Sequence, residues 1–144
     1  MTTRSEIVNI ARAWIGTPYR DQASLKGVGC DCLGLLRGVY RELYYLEDDP
    51  EQVPAYQTTW YDHSKEDELL NAAKRHLVEI PLLLPGSVVV FRMKSTVSAK
   101  HCAIITDYDT MVHAYSHKKV FEVSMGDWWK RKIVGTFDFP GVTD

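Results

Sequence analysis

The sequence predicts an α+β fold in which N-terminal helices pack on a mostly antiparallel sheet of five to six strands. The first half of the chain carries helical periodicity and capping signals, and the second half carries short β-rich runs between polar turns. Hydrophobic residues make up 45% of the 144 positions, which is enough for one core without disulfide bonds. We therefore expect a single domain over residues 1–144.

Capping boxes begin the first and third predicted helices. Residues 3–6 and 64–67 each place Thr or Ser three positions before an acidic residue, a pattern that satisfies backbone donors at a helix start. Residues 16–18 end the first helix, because proline restricts the residue before it. Residues 47–63 lack a period and hold prolines and several aromatic residues, so we expect a long, lid-like loop there.

The second predicted helix follows Asp31, which is a good N-cap residue. Apolar residues recur at helical spacing from Cys32 to Leu43 and give this helix one buried face. Gly34 and Gly38 lie inside it, and each costs about 1 kcal/mol relative to alanine. Two such costs in one helix indicate the close approach of another element, which we expect to be the sheet.

Five β-rich runs follow in the second half of the chain. They lie at residues 88–91, 101–106, 111–115, 120–123 and 133–139. In the second run, alternate residues from His101 share one face of the strand, and alternate residues from Cys102 share the other. Helices in the first half and strands in the second favour an α+β domain with a mostly antiparallel sheet.

Cys32 is the first candidate for chemistry. It would lie in the first turn of the second helix, where free N–H groups and the helix dipole favour an anion. Such settings lower a cysteine pKa from about 8.5 to as low as about 3.5, and the thiolate is the reactive form. A small buried apolar residue is the alternative interpretation. Taken alone, these residues leave both interpretations open.

A nucleophilic cysteine needs a base, and His101 stands at the start of a predicted strand, with His113 in the next one. A three-residue hairpin loop at 107–109 would pair Thr106 with Thr110 and make the two histidines neighbours on one face. A loop of two or four residues would place them on opposite faces. A catalytic triad thus predicts a particular register, whereas structural histidines would require none.

Six short segments of the chain form an ordered set of motifs: residues 16–20 (GTPYR), 29–35 (GCDCLGL), 84–87 (LPGS), 101–105 (HCAII), 113–115 (HAY) and 135–140 (GTFDFP). In their order and spacing, over nearly the whole chain, they resemble the NlpC family of papain-like cell-wall cysteine peptidases. The similarity, which includes the closing segment, is closest to the branch encoded by tailed phages and gene transfer agents. Leu33 departs from the family, because many relatives have serine there, and residues 47–63 are variable in kind.

The resemblance implies a papain-like α+β fold and hydrolysis of peptidoglycan stem peptides, commonly between D-γ-glutamyl and a diamino acid. It places Cys32 on the nucleophile, His101 on the base and His113 on the polar residue that orients the base. Tyr19 falls on a tyrosine near the oxyanion position. We count Asp31 with Tyr19 as an oxyanion or substrate-binding candidate, although a helix cap is its simpler role. No cofactor is implied.

Three other functions are compatible with these residues. A zinc site could use Cys30, Cys32, His101 and Cys102, but Cys-x-Cys spacing is unusual and the last two side chains face opposite ways, so we expect no metal. The chain could also be an inactive assembly module of a phage tail, or an amidase or acyl-transfer enzyme on the same scaffold. Local packing is the simplest role for Cys30 and Cys102.

Charge and hydropathy restrict the partners and the location. A formal net charge of −2 gives no indication of nucleic acid binding. No apolar run approaches the roughly 18 to 20 residues of a membrane span, and the N-terminus lacks the features of a secretory signal. We therefore expect cytoplasmic synthesis, followed by action on the cell wall from a virion or tail. Peptidoglycan stem peptides, and possible hub or tip proteins of a tail, are the expected partners.

Overall fold

We describe the fold from a computed structural model that covers residues 2–46, 68–93, 101–115 and 118–144. The loop predicted at 47–63 and the capping box predicted at 64–67 lie outside these described residues. Within them, the predicted α+β architecture is confirmed: helices from the first half of the chain pack on one six-stranded antiparallel sheet.

The described part of the chain contains the three predicted helices and one short helix that was not predicted. They are α1 (Arg4–Arg12), α2 (Cys32–Tyr44), α3 (Glu68–His76) and α4 (Asp127–Lys130). The capping signal of α1 is confirmed, because the Thr3 side chain accepts a hydrogen bond of 3.1 Å from the Glu6 backbone N–H. Trp14 ends the apolar stripe of this helix and is only 2% exposed.

Ten strands are present in the described residues, and six of them form the main sheet. They are β1 (Thr2–Thr3), β2 (Ser24–Leu25), β3 (Gly29–Cys30), β4 (Val78–Glu79), β5 (Val88–Phe91), β6 (His101–Asp107), β7 (Thr110–Ala114), β8 (Val120–Ser124), β9 (Ile133–Asp138) and β10 (Val142–Thr143). The main sheet has the order β4-β9-β5-β6-β7-β8. All five predicted runs are strands of this sheet, and β4 is the sixth strand at its edge.

The two faces of the sheet carry separate cores. The face toward α1 and α2 holds the larger one, and Cys32 and Cys102 both belong to it. The opposite face holds a smaller cluster that includes Phe91 and Ala103, with Trp129 packed against it. The predicted alternation along β6 is therefore confirmed. It assigns Cys102, rather than His101, to the face that α2 covers.

Gly34 and Gly38 do mark a close approach, but the expectation that the sheet would be the neighbour was wrong. A Cβ added at Gly34 would collide with the backbone carbonyl of Ala23, in the loop before α2. A Cβ added at Gly38 would collide with the indole of Trp14, just beyond α1. These glycines therefore let a loop and an aromatic ring pack directly on the α2 backbone.

We expect Gly34→Ala to lower the free energy of unfolding by about 1–3 kcal/mol, the usual cost of overpacking a tight site. Alanine alone would favour the helix by about 1 kcal/mol over glycine, so a net loss reports the collision with the Ala23 carbonyl. Urea unfolding followed by circular dichroism measures the change.

Gly126→Ala provides the matched control for this substitution. Gly126 precedes α4 with a φ of −77°, and nothing lies within 4 Å of an added Cβ. We expect a change of less than about 1 kcal/mol there. A Gly34→Ala protein as stable as the wild type would contradict the close packing of the loop on α2.

Candidate active site

Asp31 ties the start of α2 to the loop before it. Its Oδ1 accepts a hydrogen bond of 2.7 Å from the Gly34 backbone N–H, as an N-cap does. Its Oδ2 accepts another of 2.8 Å from the backbone N–H of Gln22. The side chain is buried, so these bonds form away from solvent. The carboxylate thereby fixes where α2 begins and where the next residue, Cys32, is held.

Cys32 is the first residue of α2 and lies against the start of β6. Its side chain hydrogen-bonds to both Cys102 and the His101 imidazole. The Cys102 sulfur also lies 3.3 Å from the Cys32 carbonyl oxygen. Cys32 is 8% exposed, whereas Cys102 is 1% exposed. Both residues are buried, and Cys32 is the more exposed of the two.

The surroundings of Cys32 favour its thiolate. The pKa of Cys32 lies well below its ordinary value, because the hydrogen bond from Cys102 and the hydrogen bond and charge of His101 outweigh desolvation by burial. The pKa of Cys102 is raised well above its ordinary value by the same hydrogen bond and by burial. Desolvation raises the pKa of Cys30 to about 12. Of the three thiols, Cys32 is thus the one that ionises most readily.

His101 and His113 are neighbours, as predicted. The Nε2 of His101 lies 2.9 Å from the Nδ1 of His113, which is hydrogen-bonding distance. Because this contact uses Nε2, the Nδ1 of His101 is the ring nitrogen that remains for the Cys32 sulfur. Cys32, His101 and His113 therefore form a connected chain of side chains, in the order that a nucleophile, a base and an orienting residue require.

The β6–β7 hairpin has the predicted strand register, but its turn is shorter than expected and one strand contains a bulge. Ile104 pairs with Val112, and continuing this register places Ala103 opposite His113, as predicted. The expected three-residue loop was wrong, because Asp107 already pairs with Thr110 and only two residues form the turn. A bulge between Ile105 and Asp107 takes up the extra residue and restores the phase of the strands.

An aromatic enclosure surrounds the histidine pair. Ring centroids of His113 lie 5.4 Å from Trp129, 5.5 Å from Tyr115 and 5.6 Å from Phe121. Trp129 also lies 5.5 Å from His101. Burial in this setting, followed by the charge of His101, lowers the pKa of His113 to about 3. His113 is therefore neutral near neutral pH, and its unprotonated Nδ1 can accept a hydrogen bond from a protonated Nε2 of His101.

The contacts of Trp129 and Tyr115 with the two histidines were not predicted from the sequence. Trp129 stands in the short helix α4, and no periodic pattern in the sequence links that helix to the histidines. Tyr115 directly follows β7, two residues after His113, and strand alternation could have placed it on the same face. Cys102 was also missed as a partner of the nucleophile, since its position beside His101 indicated only local packing.

Tyr19 and Asp31 were predicted as oxyanion or substrate-binding residues, and the structure shows different contacts for each. The Tyr19 backbone forms a β-bridge with Cys30, and its N–H donates a hydrogen bond of 2.9 Å to the Lys118 carbonyl oxygen. Its side chain is partly buried against the helix-side core. The oxyanion role of Tyr19 stays a prediction. For Asp31 the two backbone hydrogen bonds identify a capping role, and its contact with substrate stays a prediction.

Within the described residues, no group of three or more His, Cys, Asp or Glu side chains is arranged to hold a metal ion. Cys30 is held in the β2–β3 hairpin, where it pairs with Ser24. In the same part of the chain, no helix is long and apolar enough to cross a lipid bilayer. The arrangement at Cys32 is instead suited to nucleophilic attack, because a stabilised thiolate faces an imidazole that can carry a proton.

Comparison with known proteins gives a family and a fold. Residues 16–137 match the model of the NlpC/P60 family. Comparison with curated protein sequences gives no significant match. Among solved structures, the NlpC/P60 domain of the peptidoglycan hydrolase SagA is similar, with a TM-score of 0.61 and 18% identity over 94% of this chain and 98% of that one.

Two longer proteins show the same likeness. NlpC2 from Trichomonas vaginalis has a TM-score of 0.63 and 16% identity, over 94% of this chain and 46% of that one. A lipoprotein-like protein of the NLP/P60 family from Staphylococcus aureus has a TM-score of 0.61 and 17% identity, over 98% and 42%. The present chain thus spans less than half the length of these two proteins. At these identities the likeness is one of fold, and it confirms the papain-like architecture.

The low pKa of His113 makes the stability of the protein pH-dependent. In the folded chain this pKa is lowered to about 3, whereas an unfolded histidine titrates near about 6.5. Between these values the unfolded chain binds more protons, so this contribution to stability is full above the unfolded pKa and is lost as the pH falls toward the folded one. We expect the free energy of unfolding to fall by up to about 1.4 kcal/mol per pH unit in that window.

Urea unfolding at several pH values between about pH 5 and about pH 7 measures this slope. His113→Gln is the control, since it replaces the titrating ring with a neutral amide, and its slope should be shallower than that of the wild type. Equal slopes in the two proteins would show that His113 does not stay neutral in the folded state.

Proposed function

The chain belongs to the NlpC/P60 family, and we propose that it is a cysteine peptidase that hydrolyses peptidoglycan stem peptides. The observation that carries this proposal is the hydrogen-bonded chain from Cys32 through His101 to His113. The SagA domain, which has a similar fold over nearly its whole length, comes from a protein described as a peptidoglycan hydrolase. We propose one catalytic domain over residues 1–144.

In the proposed first step, the Cys32 thiolate attacks the carbonyl carbon of the scissile amide. The carbonyl oxygen becomes an oxyanion, and the backbone N–H of Cys32, at the start of α2, is a suitable donor for it. The Tyr19 hydroxyl is our second candidate donor. The Nδ1 of His101 then gives its proton to the leaving amine, the C–N bond breaks, and a thioester to Cys32 remains.

In the second step, a water molecule attacks the thioester. His101 accepts one proton from this water, and the C–S bond breaks to regenerate the Cys32 thiolate beside protonated His101. The carboxylic acid product loses the other proton to solvent and leaves as a carboxylate. His113 remains neutral throughout and keeps the His101 ring oriented through the 2.9 Å contact. Trp129, packed on both histidines, keeps bulk water from that contact.

The finer assignments rest on the resemblance of the six sequence segments to the phage and gene-transfer-agent branch. We propose the bond between D-γ-glutamyl and a diamino acid as the one cleaved. We further propose that the protein acts on the cell wall as a component of a phage tail or gene transfer agent, with hub or tip proteins as neighbours. Mass spectrometry of muropeptides after incubation with the protein identifies the bond.

An amidase or acyl-transfer activity on the same scaffold would use the same thioester, so product analysis separates these possibilities. A hydrolase leaves a free carboxylate on the acyl product, whereas a transferase leaves a new amide or ester. A purely structural tail component would give neither product. The hydrogen bond between the Cys32 and His101 side chains favours an active enzyme over that last possibility.

We expect Cys32→Ala to abolish turnover of purified peptidoglycan sacculi, because the other two thiols, Cys30 and Cys102, are buried and their raised pKa values keep them protonated. The fall should reach at least about 10³-fold. Loss of turbidity and the release of muropeptides measure the activity, and circular dichroism reports whether the fold is retained.

Cys30→Ala is the matched control for this experiment. Cys30 is a fully buried thiol two residues away, and its raised pKa keeps it protonated. The control variant should retain wild-type turnover. A folded Cys32→Ala protein that still releases muropeptides would refute the proposed nucleophile.

A further inference from the structure

We propose that Cys102 is a positioning residue for the nucleophile: its thiol donates a hydrogen bond to the Cys32 sulfur and holds that sulfur toward His101. Two contacts support this proposal. The two side chains are hydrogen-bonded, and the Cys102 sulfur also lies 3.3 Å from the Cys32 carbonyl oxygen. For its catalytic meaning the inference rests on the proposed function, but the contact itself can be tested without any substrate.

The single proton of Cys102 has two acceptors on the same residue. While Cys32 is protonated, its carbonyl oxygen is the better acceptor for the Cys102 S–H. Once Cys32 ionises, the thiolate becomes the stronger acceptor, because hydrogen bonds to charged groups are roughly twice as strong as neutral ones. The backbone N–H of Cys102 donates to the sulfur as well. When Cys32 ionises, the Cys102 proton can therefore turn from the carbonyl oxygen to the sulfur of Cys32, while Cys102 keeps its place in β6.

Burial of the Cys102 thiol favours its hydrogen bonds to protein acceptors. Cys102 lies on the face of β6 that α2 covers, in the same core as Cys32, and it is 1% exposed. A thiol held there has no bulk water to compete for its proton. A thiol is a weak donor in water, but burial leaves it with only the protein acceptors that surround it. Its location on a central strand also fixes the sulfur relative to the helix start.

The charged and titratable groups around the Cys32 sulfur come from two sides. On the strand side are His101, with neutral His113 behind it, and Cys102. On the helix side, Asp31 precedes the nucleophile, and its carboxylate raises the pKa values of both Cys102 and Cys30. Asp31 therefore disfavours a thiolate on either of these thiols. The hydrogen bond between the two thiols lowers the pKa of Cys32 and raises that of Cys102, so this pair keeps its proton on Cys102 and its negative charge on Cys32.

The test measures the pH dependence of the reaction of Cys32 with iodoacetamide, which is selective for the thiolate. The experiment is carried out in the Cys30→Ala background, in which the tryptic peptide of residues 27–37 carries Cys32 as its only thiol. Mass spectrometry of that peptide then gives the alkylation rate of Cys32 alone. We expect Cys102→Ala to raise the midpoint of the rate profile by about one pH unit, the size of one charge-assisted hydrogen bond.

Cys102→Ser separates donation from packing. Serine and alanine both lose the sulfur and leave a similar small void, but only serine keeps a donor at that place. We expect the midpoint of Cys102→Ser to stay close to that of the Cys30→Ala parent. Equal midpoints in the parent and Cys102→Ala would overturn the proposal, and so would equal displacement of the midpoint in the Ala and Ser variants.

A second measurement requires no substitution of Cys102. In the Cys30→Ala protein, once Cys32 has ionised, Cys102 carries the only remaining S–H group. Its Raman S–H stretching band should move to lower frequency and broaden as Cys32 ionises. A band that does not change across that titration would refute the hydrogen bond. Because neither measurement uses peptidoglycan, failure here leaves the proposed peptidase activity to be judged by turnover alone.

Discussion

The carboxylate of Asp31 is the constraint on which the rest of the site depends. By binding backbone N–H groups on both sides of the helix start, it fixes the loop and the first turn of α2 relative to each other. Cys32 follows directly, so its sulfur inherits that position. The same negative charge opposes ionisation of the thiols of Cys30 and Cys102. One buried side chain thus fixes the position of the proposed nucleophile and adds to the raised pKa values of the other two thiols.

The histidine pair joins two imidazole rings by a short contact without placing a carboxylate behind His101. A carboxylate behind His101 would favour the imidazolium, but it would also place a full charge among aromatic rings, which is costly unless the charge is paired. Neutral His113 accepts the same hydrogen bond without that cost. The surrounding rings, with Trp129 in contact with both histidines, exclude water and restrict the orientation of His101.

Local signals predicted most of the fold but only part of the site. The five strands and three helices were accessible because alternation, capping residues and proline act within a few residues of each other. The neighbours of Gly34 and Gly38 were not accessible, since an unusual glycine indicates proximity but does not identify the partner. The contact of Cys102 with Cys32 spans seventy positions in the chain. It depends on how α2 lies across the sheet, which no local pattern encodes.

The hairpin shows how a correct register can follow from an incorrect loop. The sequence shows that the two histidines are twelve positions apart, but it does not show how the residues between them divide between turn and bulge. The contact of the Thr106 and Thr110 hydroxyls, at 2.7 Å, lies where that division is made. Strand propensities are similar for either solution, because both retain the same apolar pairs along β6 and β7.

The bulge in β6 also imposes a rule of parity on how this hairpin can change in length. Because side chains alternate in direction along a strand, gaining or losing one residue within the regularly paired parts of β6 or β7 would turn one histidine ring away from the other. Two-residue changes preserve the pairing, as does a one-residue deletion that removes the bulge itself. Natural or engineered variation should therefore enter the strands of this hairpin in even steps, and single-residue changes should be confined to the turn or to the bulge.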